Sequence, residues 1–446
     1  MDYGYHAWML MAASLVLMMT TPALALFYGG MSRSKSVLNM MMMSFSAAGV
    51  VGIVYVLWGW SMSYGSEDVA MLFNNPFETF GLSDVGGQDY IFVGFQMTFA
   101  IITAALISGA VADRLKFSAW LVFLPLWVTL SYFPLAHMVW GGGFLSGASN
   151  GLADLIFSGD GGAAVAPIDY AGGTVVHINA GVAGLVLAVL LGKRLGFGKE
   201  PIKPHNLPLT MIGAGLLWFG WYGFNVGSVV FTGASAEADG AQFLSETSLV
   251  WLNTTVATCA AIMGWLAVEK IRDKKATSLG AASGVVAGLV AITPACGSLS
   301  PVGSIVLGLV AGGLCALAVG LKYKLGYDDA LDVVGVHLVG GLVGTIGIGF
   351  LATSGGLFYG DGIKQLVVQF LVALFAVIWS GIVTLVIGLA IKKAMGLRVE
   401  EDVEVEGVDF AEHGESGYDL AGTSGGRRGT LVGTATTQKP KEGANA

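Results

Sequence analysis

Along the 446 residues, apolar stretches long enough to cross a bilayer alternate with short polar connections. A helix needs about 20 predominantly apolar residues to cross a hydrocarbon core roughly 30 Å thick. The runs that qualify are 7–32, 37–63, 90–112, 117–139, 170–192, 207–231, 247–268, 277–296, 302–321, 330–352 and 364–391. The pattern predicts an all-α polytopic membrane protein with eleven transmembrane helices. The first run contains PALALF (22–27), whose Ala-x-Ala spacing imitates a leader-cleavage site. Residues 1–7 hold no basic residue, only Asp2 and His6 among polar charges, so the run reads as a retained first helix.

The polar connections orient the spans. Basic residues fall at Arg33 and Lys35, at Arg114 and Lys116, and at Lys193, Arg194, Lys199 and Lys203. They recur at Lys270, Arg272, Lys274 and Lys275, at Lys322 and Lys324, and at Lys392 and Lys393. All of these connections lie on one side. The opposite loops hold Glu67, Asp68, Asp154, Asp160, Glu237 and Asp239, with Lys364 as the exception. Lysine and arginine accumulate in cytoplasmic loops. The N-terminus is therefore expected outside and the C-terminus in the cytoplasm, in a multi-pass protein of the cell membrane.

Composition agrees: 54% of the residues are hydrophobic and 12% charged, with a mean hydropathy of +0.73, where soluble chains carry about 25% charged residues. The net charge of −8 says little about a substrate, because ten acids follow Gly396. The chain divides into a transmembrane domain (1–395), an acidic tail with scattered apolar residues (396–420) and a Gly/Thr/Ser-rich end (421–446) expected to be disordered. The acidic tail is expected to order against the lysines and arginines of the cytoplasmic loops. Cys259, Cys296 and Cys315 are unclustered and sit in apolar segments, as small buried residues rather than a disulfide or metal framework.

Two histidines interrupt the apolar pattern: His177 in GGTVVHINAGVAG (172–184) and His337 in VGVHLVGGLVG (334–344). Each has glycines at +4 and +7, Gly181 and Gly184 or Gly341 and Gly344, and an aspartate eight residues before it, Asp169 or Asp329. The fifth span enters from outside and the tenth from the cytoplasm. Spans 1–5 (7–192) and 6–10 (207–352) thus read as a 5+5 inverted repeat, with span 11 (364–391) an addition. Eight residues at 1.5 Å each carry a ring roughly 12 Å into a helix, so both reach the midplane from opposite faces.

A lone intramembrane histidine is as readily a helix–helix hydrogen bond as a site. Two in matched, glycine-flanked surroundings favour a pathway. Neutral imidazoles that share a proton offer one donor and one acceptor, a lining suited to a small neutral polar molecule. Asp113, Glu269, Asp328, Asp329 and Asp332 all fall near cytoplasmic ends, which argues against a cation antiporter with buried carboxylates. Aromatic positions add a second layer. GFQMTFAIIT (94–103) places Phe95 and Phe99 on one face, HMVWGGG (137–143) puts Trp140 at the outer surface, and WYGFNVGS (221–228) puts Phe224 and Ser228 together near the outer end of the sixth span. A Trp face and a hydroxyl can hold a small cation; each alone is equally an aromatic belt residue.

YAGGTVVHINAG, HMVWGGG, WYGFNVGS, GFQMTF, LVAITPACG, DVVGVHLVGG and the tail pattern GLRV…EGVD…HGE resemble, in order and spacing over residues 7–420, the bacterial Amt type of the ammonium transporter (Amt/Mep/Rh) family. The resemblance implies a homotrimer with one pore per subunit and no cofactor. It implies ammonium recruitment at Trp140, Phe95 and Ser228, a stacked gate of Phe99 and Phe224, and twin pore histidines at His177 and His337. Asp169 matches an acidic residue that is structural or assists deprotonation. The tail matches a segment coupling subunits, and a PII-type signalling protein is an implied cytoplasmic partner. The function expected is transport, not enzyme catalysis or nucleic-acid binding: net ammonium uptake, electrogenic rather than electroneutral. Alternatives are an electroneutral ammonia or carbon dioxide channel, an ammonium sensor acting through a partner at the tail, or a membrane haem protein with axial histidines.

Overall fold

The computed structural model describes residues 3–199, 203–231 and 235–418; the stretch 421–446, expected to be disordered, lies outside the described residues. Among the described residues ten helices have the length and composition to cross a membrane: α1 (Tyr3–Met31), α2 (Val37–Tyr64), α3 (Tyr90–Val111), α4 (Phe117–Trp140), α5 (Gly173–Leu191), α6 (Leu207–Val226), α7 (Ala236–Asp273), α9 (Pro301–Leu325), α10 (Val334–Leu351) and α11 (Lys364–Ala394). Between them α8 (Ser278–Ile292) is apolar but only 15 residues long. The fold is a helical polytopic membrane fold.

Three boundaries differ from the hydropathy pattern, each for a local reason. α7 begins at Ala236, well before 247, because the Ser235 side chain accepts from Ala238 N at 3.1 Å and acidic Glu237 and Asp239 suit a helix start. One turn further on, Gln242 Nε2 donates to Glu246 at 2.8 Å. This polar turn is invisible to an apolar window. α8 stops before Pro294, which has no N–H to continue the helix. α6 stops at Val226, so Ser228 does not share a helical face with Phe224; its Oγ folds back onto Phe224 O at 2.8 Å and closes the helix end.

Lipid removes the hydrophobic drive between helices, so close packing must do the work. Gly308 and Gly312 of α9 show how. A methyl on either would lie 2.1 Å from the carbonyl oxygen of Ala257 or Ala261 on α7, so only glycine permits this backbone approach. Large side chains such as Ile53, Val189, Met263 and Ile382 are exposed, on the outside of the bundle rather than in its interior.

The tail docks through backbone groups more than through opposite charge. Lys116 N donates to Leu397 O and Val399 N to Arg114 O. Helices α12 (Glu401–Glu406) and α13 (Val408–His413) follow. Glu404 accepts from Leu195 N at 2.7 Å, Glu412 from Phe117 N at 3.2 Å, and Asp409 from Leu38 N and Asn39 N at 3.0 and 2.8 Å. Asp409 thereby caps α2, where unpaired N–H groups and the helix dipole both favour a carboxylate. Among the described residues the tail's one ion pair is internal, Arg398–Glu404. The loop lysines and arginines expected to attract the acids are therefore not their ion-pair partners.

Candidate functional site

The two histidine helices start with the same device. Asp169 Oδ1 accepts from Gly172 N and Gly173 N, and its Oδ2 from Thr174 N and Val175 N, at 2.7–3.2 Å. Asp329 Oδ1 accepts from Val333 N and its Oδ2 from Val334 N, at 3.0 and 2.8 Å. In both, the same two carboxylate oxygens take the N–H groups four and five residues on. Eight residues after each aspartate the histidine stands in a π-helical turn, Gly173–Ile178 or Val334–Leu338, a wide turn found often at functional sites.

The +4 glycines let these helices cross at the rings. A methyl on Gly181 would lie 2.5 Å from Leu338 N, the residue after His337; one on Gly341 would lie 3.2 Å from His177 Cβ. The crossing brings His177 Nδ1 within 3.2 Å of His337 Nδ1, with ring centroids 5.3 Å apart and planes 21° apart. Both rings are buried. Two Nδ1 atoms at this distance share one proton, so one ring presents Nε2 as acceptor and the other Nε2–H as donor. His177 Nε2 is buried and meets no protein partner. A haem iron has no space between nitrogens in direct contact, which disposes of the axial-ligand reading.

The rings border a narrow cavity of only about 10 Å³ whose other walls include Ile102, Leu106, Val176, Trp221 and Phe224. At one end of it Phe99 and Phe224 stack with centroids 4.0 Å apart and planes 8° apart. The edge of Phe95 packs on Phe99 at 4.8 Å, and Trp140 meets Phe99 at 6.1 Å, nearly perpendicular. Phe99 is thus the hub joining the aromatic positions. Phe95 is fully buried behind it, so Trp140 and Ser228 alone of the proposed recruiting residues are part-exposed. Trp140 Nε1 donates to Asp169 O at 2.8 Å. Asp169 therefore holds both the start of α5 and the mouth's indole. Burial pushes its carboxyl above the ordinary aspartate range, against the pull of its four N–H donors.

A model of the Ammonium Transporter Family matches residues 7–418. The chain belongs to this family. An ammonium transporter of Mycobacterium tuberculosis is 51% identical over 460 residues, covering 95% of this chain and 92% of the relative. One of Aquifex aeolicus is 45% identical, with 94% of each chain covered. Among solved structures, one described as a Sensor Amt Protein superposes with a TM-score of 0.79 at 28% identity, covering 92% of this chain and 98% of its own. Candida albicans Mep2 gives 0.77 at 31% identity, with 94% of each covered.

Two residues of this family member escaped the sequence reading. Trp221 stacks on His177 at 5.4 Å and 18°, and Thr293 Oγ1 holds its indole N–H at 2.7 Å. Trp221 lies one turn before Phe224, so the spacing already placed both on one face. Thr293 carried no such signal, because it arrives from α8.

The acids expected near the cytoplasmic ends are tied up there and none approaches the histidines. Arg33 pairs with Asp113 at 2.9 Å, Arg194 with Asp328 at 3.3 Å and Lys322 with Asp332 at 2.6 Å, while Glu269 accepts from Thr277 N at 2.9 Å. Burial pushes the Asp329 carboxyl up to about 6, with Lys322 pulling it down and Asp332 adding to the rise. A raised native value means that the folded state binds a proton the unfolded chain has released. The stabilisation is fully present below the unfolded value of 3.8 and is lost as pH rises through about 6. In detergent, the wild-type melting temperature should rise relative to that of Asp329→Asn as pH falls from about 7 to about 4. Parallel curves would show that Asp329 does not titrate in this window.

Proposed function

We propose that the chain carries ammonium across the membrane by recruiting the ion outside, removing its proton and conducting ammonia through the cavity beside His177 and His337. The observation that carries this reading is the Nδ1–Nδ1 contact of 3.2 Å beneath a closed phenylalanine stack. Ammonium loses water against Trp140 and Ser228, with Phe95 backing the site. Burying an unpartnered ion costs many kcal/mol, so at Phe99 and Phe224 the ion passes its proton to the water it is leaving and only ammonia goes on. Ammonia then exchanges hydrogen bonds with the two Nε2 atoms in turn. Potassium has no proton to lose and is excluded by that difference. Asp169 acts by fixing Trp140 and the start of α5. Uptake is electrogenic in this reading, with the released proton crossing separately through the shared Nδ1 position; an electroneutral ammonia channel is the alternative.

The architecture that goes with it has eleven spans, counting α8, as a 5+5 inverted repeat plus α11. The paired aspartate caps and reciprocal glycines of α5 and α10 support the repeat. The N-terminus faces outward, and the tail and basic loops face the cytoplasm of the cell membrane. We take the assembly to be a homotrimer whose tail (396–420) couples subunits and offers a face to a PII-type protein. A sensing role through that tail is a second reading, supported by its docking onto α2 and by the likeness to a Sensor Amt Protein.

The test is the current in proteoliposomes after an ammonium jump, with a matched potassium jump. A sustained ammonium-specific current is expected. Internal alkalinisation without current would favour the electroneutral channel. Equal currents for both ions would refute the deprotonation mechanism.

A further inference from the structure

The loop after α2 folds back over the carboxyl end of α4. Its short hairpin pairs Asp68 with Asn74, and both side chains reach one imidazole, His137. Asn74 Nδ2 lies 3.0 Å from His137 Nδ1 and 2.8 Å from Gly65 O, so the amide nitrogen faces two acceptors. His137 Nδ1 therefore accepts, and Nε2–H donates to Asp68 Oδ1 at 3.0 Å. The imidazole is 3% exposed and the carboxylate 45%. A buried ring thus reads out the position of a surface loop.

That ring is also the core of the turn that ends α4. Gly141 N and Gly143 N donate to His137 O at 2.9 and 3.1 Å. A methyl on Gly141 would lie 2.7 Å from His137 Nδ1, and one on Gly143 2.9 Å from Cδ2. The far side of the turn is stitched to the hairpin by Phe144 N donating to Met71 O at 2.8 Å. Trp140 stands between, one helical turn beyond His137, with its indole N–H on Asp169 O.

We propose that Asp68, Asn74 and His137 form a positioning unit that clips the 65–78 hairpin onto α4 and holds Trp140 in its ammonium-accepting orientation. The proposal rests on the reading of Trp140 as a recruiting ring. It predicts an effect on capture rather than on passage, because nothing in the unit touches the cavity beside His177. Geometry, not charge, carries the effect. The neighbouring acids are occupied within the hairpin: Glu78 accepts from Ser66 N and Glu67 N, and Glu67 from Asn75 Nδ2.

Asp68→Ala and Asp68→Asn separate the two explanations: both lose the hairpin's own bond from Met71 N to Asp68 Oδ2 at 3.0 Å, but the amide oxygen of asparagine still accepts from His137 Nε2–H without a charge. In proteoliposomes Asp68→Ala should raise the half-saturating ammonium concentration about three- to tenfold, the effect of losing an ordinary hydrogen bond across the clip, with maximal current little changed. Asp68→Asn, which keeps the bond to His137, should shift it clearly less. Hydrogen–deuterium exchange on the purified proteins should show residues 65–78 losing more protection in the alanine variant than in the asparagine variant. Equal shifts in half-saturation for the two variants would assign the effect to charge and overturn the proposal. A freed hairpin with unchanged half-saturation would overturn the positioning role while leaving the transport reading intact. A wild type without ammonium current would overturn the transport reading itself, and the exchange pattern would still report whether the clip exists.

Discussion

Replacing His177 or His337 with alanine should lower the ammonium-specific current at least about fivefold, since each change removes a buried hydrogen-bond partner worth about 1–3 kcal/mol. The reason lies in the pairing. At 3.2 Å the two Nδ1 atoms share a proton, and that sharing sets which Nε2 donates and which accepts. Deleting one ring leaves the other with a buried, unpaired Nδ1 and frees it to take either tautomer. The ordered donor–acceptor sequence along the cavity is then lost. His177→Ala should be the more severe, because His177 also carries the Trp221 stack and contacts Phe224. The double variant should admit potassium, as water enters the space of both rings and supplies the solvation the native cavity withholds. Both single variants conducting ammonium at the wild-type rate would remove the histidines from the mechanism.

Much of this site was legible before any coordinate, and the reason is periodicity. His177 and His337 stand out because a titratable ring in an apolar run is rare, and the Asp at −8 with Gly at +4 and +7 repeats the setting. Those offsets are lengths along a helix, so they translate directly into depth and face. The same reasoning put Phe95 and Phe99 on one face, where their rings meet at 4.8 Å, while Trp140 was singled out by its place at the end of the fourth span. The parts that escaped depend on what one helix meets on another. Thr293 reaches Trp221 from a different span, and no spacing along the chain announces it. Phe95 was placed on the right face, yet its complete burial behind Phe99 follows from packing alone. The tail acids were expected on loop lysines, but helix starts at Val37 and Phe117 expose N–H groups that compete for carboxylates and lie closer. The early start of α7 was missed because a capped polar turn carries no apolar signal.

Gly181→Ala should cost more than Gly341→Ala, and the helix crossing explains why. The new Cβ would lie 2.5 Å from Leu338 N and 2.7 Å from Leu338 Cα, both backbone atoms that no rotamer change can move. Relief requires α5 and α10 to separate, and separation pulls apart the two Nδ1 atoms that follow from the same crossing. Overpacking of this kind costs about 1–3 kcal/mol, occasionally more, and here the strain falls on the element that defines the site. Gly341 is the matched position, but its nearest contacts are 3.1 and 3.2 Å, within reach of small adjustments. The two substitutions are chemically identical, so their difference isolates backbone clash from lost glycine flexibility. Melting followed by size-exclusion recovery in detergent should show Gly181→Ala strongly destabilised and Gly341→Ala mildly so, with ammonium current falling in the same order. Equal stability of the two variants would mean that the crossing tolerates separation, and that the histidine contact is held by something other than the close approach of these helices.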